Sequence, residues 1–510
     1  MIRQLALSLM IGLILASAIS PAFGDHLTFR GDAQRTGNVS GTGPSSPDLL
    51  WSEKLTPTGY IGGSASICDG RVYVSSWPDM SYKGEQGIGC LDAEDGSILW
   101  LNPIGGKGGA STPAICDGRV FVGCWMGDLY CLDASTGDTI WNRTLEDDPQ
   151  WWGVASSPLV IEDKIFVTSF SDGTLHALDF DGDELWNLST GNIDQYTSPA
   201  GDDDKIYFAG GDPALYCVDR SSFDILWKFA TNDDPITSTP AVKDGRVYFA
   251  ARDNLYAVDT TSGEKLWNQP LKGTISSPAI SFDRIYIGTS EKTLNCYSAS
   301  DGTLRWSVEV NGPVVSSPLV TEERVYFGTN TGKGTVYALD ATTGDLVWTY
   351  LVGEYIMSAP SFSDGILYIG TDDGCIYAFG KEPFKVIFEC EVLLDDGSFN
   401  LSADSGEEYS IKNRTALGSL KVASEYGQFN FTVDDSLQTG YGLLAKSIDN
   451  IEPDEGEMWM YWVNYPDEAF PSIGSDRFSL EDGDSVTFYL GDKNTKPEDA
   501  LRIEIRAAWV

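Results

Sequence analysis

The sequence predicts an all-β fold: an eight-bladed β-propeller of four-stranded antiparallel blades whose last blade is closed by an N-terminal strand, followed by a small α+β domain. Three observations predict it. Tryptophans recur at Trp100, Trp141, Trp186, Trp227, Trp267, Trp306 and Trp348, at intervals of 39 to 45 residues. Openers of the Ser-x-Pro kind recur in step, at Ser111, Ser156, Thr197, Ser238, Ser276, Ser316 and Ser358, with a degenerate first copy at Ser64-Ala65-Ser66. The eighth copy stops at Gly380 without a tryptophan, and an orphan strand, Asp48-Leu49-Leu50-Trp51, precedes the first.

The clearest copy runs from Ser316 to Trp348. Its apolar runs, Leu319 to Thr321, Val325 to Phe327, Val336 to Leu339 and Leu346 to Trp348, are separated by turn residues and read as a four-stranded meander. Val325 and Phe327 oppose Tyr326, so such a sheet is apolar on both faces and must be sandwiched between copies of itself. If the orphan strand completes the eighth sheet, the ring closes and the exposed edges of the first and last blades disappear.

The spacing Ala338-x-Asp340-x-x-x-Gly344-x-x-x-Trp348, repeated at Ala257, Asp259, Gly263 and Trp267, resembles the tryptophan-docking repeat of pyrroloquinoline quinone (PQQ) type propellers. The resemblance assigns a docking role to Trp51, Trp100, Trp141, Trp186, Trp227, Trp267, Trp306 and Trp348. Departures are local: Phe223 stands for Gly in the fourth copy, Ser298 for Asp in the sixth, and the third copy, Asp179 to Gly182, is one residue short. That family holds both quinone-dependent dehydrogenases and scaffolds without a quinone, so the fold does not choose a function.

Residues 1–24, with Arg3, an apolar run from Leu5 to Ile19 and small residues before Asp25, read as an export signal. Residues 25–383 then form the propeller and 384–510 the second domain. Phe29-Arg30-Gly31-Asp32-Ala33-Gln34-Arg35-Thr36-Gly37 resembles the leading segment of secreted members of the same family, and is expected to lie across the ring. After Glu382-Pro383 the rhythm changes to strands at Phe384 to Leu393, Ser398 to Leu401, Gln428 to Val433, Met458 to Val463 and Ser485 to Leu490, with a helix at Thr415 to Ser424. Thr415 to Leu420, Trp459 to Asn464 and Leu480 to Val486 resemble the small β-grasp-like domain at the carboxy end of transcobalamin-type carriers and of many surface proteins. That resemblance implies that Trp459 and Trp462 belong to a core.

A formal charge of -41 and a pI of about 4.1 repel phosphate backbones, which excludes nucleic acid as a partner. Beyond the signal no apolar stretch is long enough to span a membrane. Six Asn-x-Ser/Thr sites, Asn38, Asn142, Asn187, Asn400, Asn413 and Asn430, are glycosylation candidates in an exported chain. The nine cysteines lack metal spacing. Cys90, Cys131, Cys217 and Cys296 stand where other copies place Ala177, Ala257, Ala338 or Ala378, so they read as core packing rather than a disulfide framework.

Two histidines, His26 and His176, leave little room for a hydrolytic triad or a histidine metal cage. Asp202-Asp203-Asp204, Asp233-Asp234 and Asp372-Asp373 sit in turns without an EF-hand pattern, so no metal site is assigned. The serious enzymatic reading is a quinoprotein holding PQQ and Ca²⁺. Against it, the sequence has no adjacent cysteine pair, and its positions before the openers are Ile, Val, Tyr and Pro rather than Arg or Lys. Adjacent Trp151 and Trp152 in a polar loop, with Tyr60, Tyr196 and Tyr355 in related places, are the ligand-binding candidates. The leading expectation is an exported, non-enzymatic scaffold, without a cofactor, that binds a surface protein or glycan. The alternatives are a PQQ-dependent oxidoreductase and an envelope assembly scaffold.

Overall fold

The structure is a computed structural model that describes residues 25–55, 59–77, 87–104, 108–109, 111–147, 153–191, 197–202, 204–232, 234–380, 386–394, 396–403, 405, 407–427, 430–434, 444–448, 458–463, 479–481, 484–491 and 502–509. The export signal expected at 1–24 lies outside them. The chain forms two compact units, Met1–Lys381 and Glu382–Val510.

The first unit is an all-β propeller of eight four-stranded sheets, with blades at 66–102, 114–144, 159–189, 200–230, 241–270, 279–309, 319–351 and 361–379. The eighth has only Ser361–Ser363, Ile366–Gly370 and Cys375–Phe379 of its own, and Leu49–Lys54 supplies the fourth strand. The pairing is antiparallel, with Trp51 opposite Ala378 and Glu53 opposite Ile376. Ring closure by the N-terminal strand is therefore as the sequence predicts.

Each tryptophan but Trp348 docks onto the turn of the next blade. Trp100 donates its indole N–H to the Ala134 carbonyl at 3.1 Å, Trp141 to Phe180 at 2.8 Å, Trp227 to Thr260 at 3.0 Å and Trp51 to Ala93 at 2.9 Å. Beneath the rings sit Gly137, Gly182, Gly263 and Gly96, whose φ angles lie between 71° and 82° and whose added Cβ would fall within 3 Å of the indole. The Asp of the repeat builds that turn: Asp340 accepts the Thr342 and Thr343 backbone N–H groups at 2.8 Å. Where Phe223 replaces glycine it keeps φ at 62° and stacks on Trp186, centroids 5.2 Å apart. Opposite the tryptophans, Cys90, Cys131, Cys217 and Cys296 take the place of Ala177, Ala257, Ala338 and Ala378, fully buried. Burial pushes the Cys90 and Cys131 thiols up to about 11 and those of Cys217 and Cys296 to about 12. Among the described residues, Cys68, Cys90, Cys116, Cys131, Cys217, Cys296 and Cys375 form no disulfide.

The middle residue of each opener explains its hydroxyl. The backbone N–H of Ser64 donates to Thr112 Oγ1, Thr112 to Ser157, Ser157 to Ser198, Ser198 to Thr239, Thr239 to Ser277 and Ser277 to Ser317, at 2.8 to 3.1 Å. Ala359 N–H returns to Ser64 Oγ at 3.1 Å, so the chain of bonds runs around the axis and breaks only where Ala359 lacks a hydroxyl. Ser64 thus occupies the middle place, and the first opener is Gly63-Ser64-Ala65 rather than Ser64-Ala65-Ser66.

The leading segment visits the innermost strands in blade order. His26 and Ile67 exchange backbone hydrogen bonds, Leu27 C=O accepts from Ile115, Ala33 from Gly201, Gln34 from Val242, Thr36 from Ile280 and Gly37 from Val320, all at 2.8 to 2.9 Å. The inner sheet edges that would otherwise stay unpaired are satisfied by this belt. Buried Arg35 donates to the carbonyls of Phe29, Pro158 and Pro199 at 2.7 to 3.1 Å, and buried Arg30 to that of Pro278 at 2.7 Å. The Pro44 carbonyl then accepts both Trp348 Nε1 and Tyr326 Oη, at 2.8 and 3.0 Å, standing in for the turn that the eighth blade lacks.

In the second unit a four-stranded sheet has the order Val386–Leu394, Arg502–Trp509, Ser485–Gly491, Met458–Val463. The first pair is parallel and the others antiparallel. Helix α1 (Ala416–Gly427) starts at Thr415, whose Oγ1 accepts the Gly418 N–H at 3.1 Å. It buries Leu417 and Leu420 against a core that contains Trp459, Phe488 and Ile505. The strands Glu408–Lys412, Leu444–Ile448 and Arg502–Trp509 extend the sequence reading; the Trp462 side chain lies outside the description.

Candidate functional site

Of the aromatic candidates, Trp151, Trp152 and Tyr196 lie outside the described residues. Tyr60 is half-buried and exchanges backbone hydrogen bonds with Trp77, at 3.1 and 2.7 Å. Tyr355 is 47% exposed and its carbonyl accepts the Asp372 N–H at 2.9 Å. They mark neighbouring blades, but among the described residues no ring contact joins the two.

A partly open concavity of ≈ 440 Å³ lies instead between blades 2 and 3. Arg143 and Thr144 reach it from the outer strand of blade 2, Thr174, His176 and Leu178 from one strand of blade 3, and Glu184 and Asn187 from that blade's outer strand. The strand geometry brings them together because residues two apart share a face, and His176 pairs directly with Asn187 across the sheet. Asp172 completes the wall from the adjoining loop.

The polar groups are organised around His176, which is buried where five other blades carry a tyrosine. Its Nδ1 meets Glu184 Oε1 at 2.7 Å and its Nε2 meets Ser169 Oγ at 3.2 Å. Ser169 in turn donates to Asp172 Oδ1, which also accepts the Thr174 N–H at 3.1 Å. Serine, histidine and carboxylate here have the order of a hydrolytic relay, yet Ser169 is completely buried and its hydroxyl is held by Asp172. The serine therefore fixes the imidazole rather than presenting a nucleophile. Arg143 ties the two blades by donating Nε to the Gly182 carbonyl at 2.7 Å and Nη2 to Asp183 at 3.2 Å. Next to the lining residue Leu145, burial raises the Glu146 carboxyl, whose Oε1 has no hydrogen bond among the described residues.

Sequence reasoning singled out Asn187 and Asn142 only as glycosylation candidates; both are exposed on the outer strands that flank this cavity, as are Asn400 and Asn430 in the second unit. Asn38, half-buried, lies in the belt, and Asn413 is half-buried beside α1. In the first acidic turn Asp202 Oδ1 accepts the Lys205 N–H at 2.9 Å and its Oδ2 the Tyr207 hydroxyl at 2.8 Å. Asp372 differs. Burial, then Glu354 and Asp373, push its carboxyl up to about 6. Among the described residues one trio, Asp25, Cys68 and Asp69, gathers metal-ligand atoms within 4.8 Å of one another.

A ring of eight tryptophan-docked blades, closed by its own N-terminal strand, defines a PQQ-type repeat propeller. The PQQ_2 family, described as outer membrane protein assembly factor BamB, matches residues 84–197, 171–270 and 251–383, and the chain belongs to it. Among solved structures, BamB from Moraxella catarrhalis is similar over 65% of this chain and 97% of its own, with 18% identity and a TM-score of 0.53. Quinohemoprotein alcohol dehydrogenase from Comamonas testosteroni is similar over 73% and 82%, with 15% identity and a TM-score of 0.60. The computationally designed Ika8 protein is similar over 66% and 100%, with 16% identity and a TM-score of 0.54. At these identities the likeness is one of fold. No curated protein matches the chain in sequence. No helix of the described residues is long and apolar enough to cross a membrane.

Proposed function

We propose that this chain is an exported, non-enzymatic scaffold whose propeller-face loops, Trp151 and Trp152 among them, recognise a surface protein or a glycan. The terminal β-grasp-like module adds a second recognition surface. The observation that carries this reading is where the buried cations are spent. Arg30 and Arg35 direct their guanidinium groups at backbone carbonyls of the ring and of the belt, which leaves a triply anionic quinone facing an acidic protein. Export fits the envelope setting of the assembly factor whose family this is.

A second reading, an envelope assembly scaffold that captures a client strand, draws on that family description and on the outer strands. Their unpaired edges carry exposed Leu304, Leu346 and Leu351, the kind of edge to which an extended segment adds. Crosslinking in native envelopes, followed by identification of the captured molecule, tests both: a glycan or folded protein supports the first, an unfolded client strand the second. Appearance of quinone absorbance and dye reduction on adding PQQ with Ca²⁺ would instead make the chain an oxidoreductase.

A further inference from the structure

We infer that the cavity between blades 2 and 3 is a subsite for one pyranose unit of a neutral or amino-bearing glycan, an inference that rests on the binding-scaffold reading above. The wall carries unspent hydrogen-bonding capacity of both signs. Glu184 engages His176 through Oε1, and Asp172 uses Oδ1 on Ser169 and Thr174, so among the described residues Glu184 Oε2 and Asp172 Oδ2 have no hydrogen-bond partner. Nor, among the described residues, does the Asn187 amide, which can both donate and accept, and Thr144 and Thr174 add hydroxyl groups to the wall. Sugar hydroxyls donate and accept at once, and a cavity of ≈ 440 Å³ lies in the range of small-ligand sites.

Other ligand classes fit less well. Two carboxylates against one guanidinium, itself already bridging to Asp183 and Gly182, disfavour an anion. The wall offers only Leu145 and Leu178 to an apolar molecule. Its acidic and imidazole groups do not form a trio close enough to chelate a metal ion. The site is also built before a ligand arrives. Both nitrogens of His176 are engaged, and the Arg143 bridge holds the two walls at a fixed separation, so little ordering remains to be done on binding.

The test uses the full mature chain and saturation-transfer NMR with methyl α-D-glucopyranoside, N-acetylglucosamine and glucosamine, each at about 10 mM, since single polar units bind weakly. The inference expects transfer to at least one sugar, weakened at least fivefold by Glu184→Ala and by Asn187→Leu, and unchanged by Lys228→Ala in blade 4. Circular dichroism and melting temperature establish that each variant is folded. No transfer from any of the three, transfer indifferent to both variants, or competition by inorganic phosphate overturns the subsite. If a glycan or protein captured from the native surface still binds Glu184→Ala normally, the subsite falls while the scaffold reading stands; if PQQ with Ca²⁺ confers dye reduction, the scaffold reading itself falls.

Discussion

Replacing Gly137 by alanine puts the docking contact under the most direct strain. Gly137 has φ of 75°, and a Cβ there would lie 2.5 Å from Trp100 Cε3 and 2.6 Å from Cδ2. The ring cannot retreat freely, because its N–H is bound to Ala134 and its face packs against Tyr73 at 6.0 Å. An L-residue in the left-handed region costs about 1–2 kcal/mol, and forcing a methyl into a filled contact adds about 1–3 kcal/mol. Gly118, in the same blade with φ of 69°, has nothing within 4 Å of its added Cβ and supplies the control. Guanidinium unfolding monitored by fluorescence should therefore show Gly137→Ala less stable than Gly118→Ala by about 1–3 kcal/mol. Introducing Trp100→Leu should abolish that difference, because the clash needs the ring. Equal losses for the two glycines, or a difference that survives removal of the tryptophan, would refute the docking argument.

Buried His26, with neither ring nitrogen hydrogen-bonded, is held down to about 3 by burial and then by Arg30 and Arg35. Below its unfolded value of 6.5 the unfolded chain takes a proton the folded chain refuses, so stability falls by about 1.4 kcal/mol per pH unit as pH drops towards 3. Urea midpoints at pH 7 and 4.5 should diverge more for the wild type than for His26→Phe; identical divergence contradicts the assignment. Arg35→Met strips donors from three buried carbonyls and should cost about 3 kcal/mol at about 1 kcal/mol each, whereas exposed Arg252→Met should cost under about 0.5 kcal/mol; calorimetric melting separates the two. Cys90, Cys131, Cys217 and Cys296 should resist a disulfide reagent at pH 8 in the native protein and react in urea, read by peptide mass spectrometry. N-terminal sequencing of protein from the native host should begin at Asp25.

The blade architecture was legible because each copy makes the same local contact. Glycine beneath the ring, aspartate in the turn and alanine or cysteine opposite the tryptophan all fall at fixed offsets within one repeat. The first opener was read one residue late because Gly63 supplies no serine, and only the axial hydrogen-bond circuit shows that Ser64 matches Thr112. The belt's individual bonds were illegible: Arg30 and Pro278 meet through a backbone carbonyl 248 residues away, which leaves no side-chain pattern to read. The cavity beside His176 was missed. The available signal was a polar residue in a tyrosine position with Glu184 on the next strand. Arg502-Ile503-Glu504-Ile505-Arg506 alternates as a strand does, the pattern that marks the strand Arg502–Trp509.

Circular closure by the first described residues is the claim on which the ring, the belt and the sites between blades all depend. Hydrogen exchange of the mature protein, resolved to peptides covering residues 26–54, measures it. The account predicts that the Val39 amide and those amides of the edge strand Leu49–Lys54 that face Cys375–Phe379 exchange far more slowly than unbonded amides, because they are bonded within the ring. Exchange of these amides within seconds while Ile366–Gly370 stays protected would show an open arc and contradict the account.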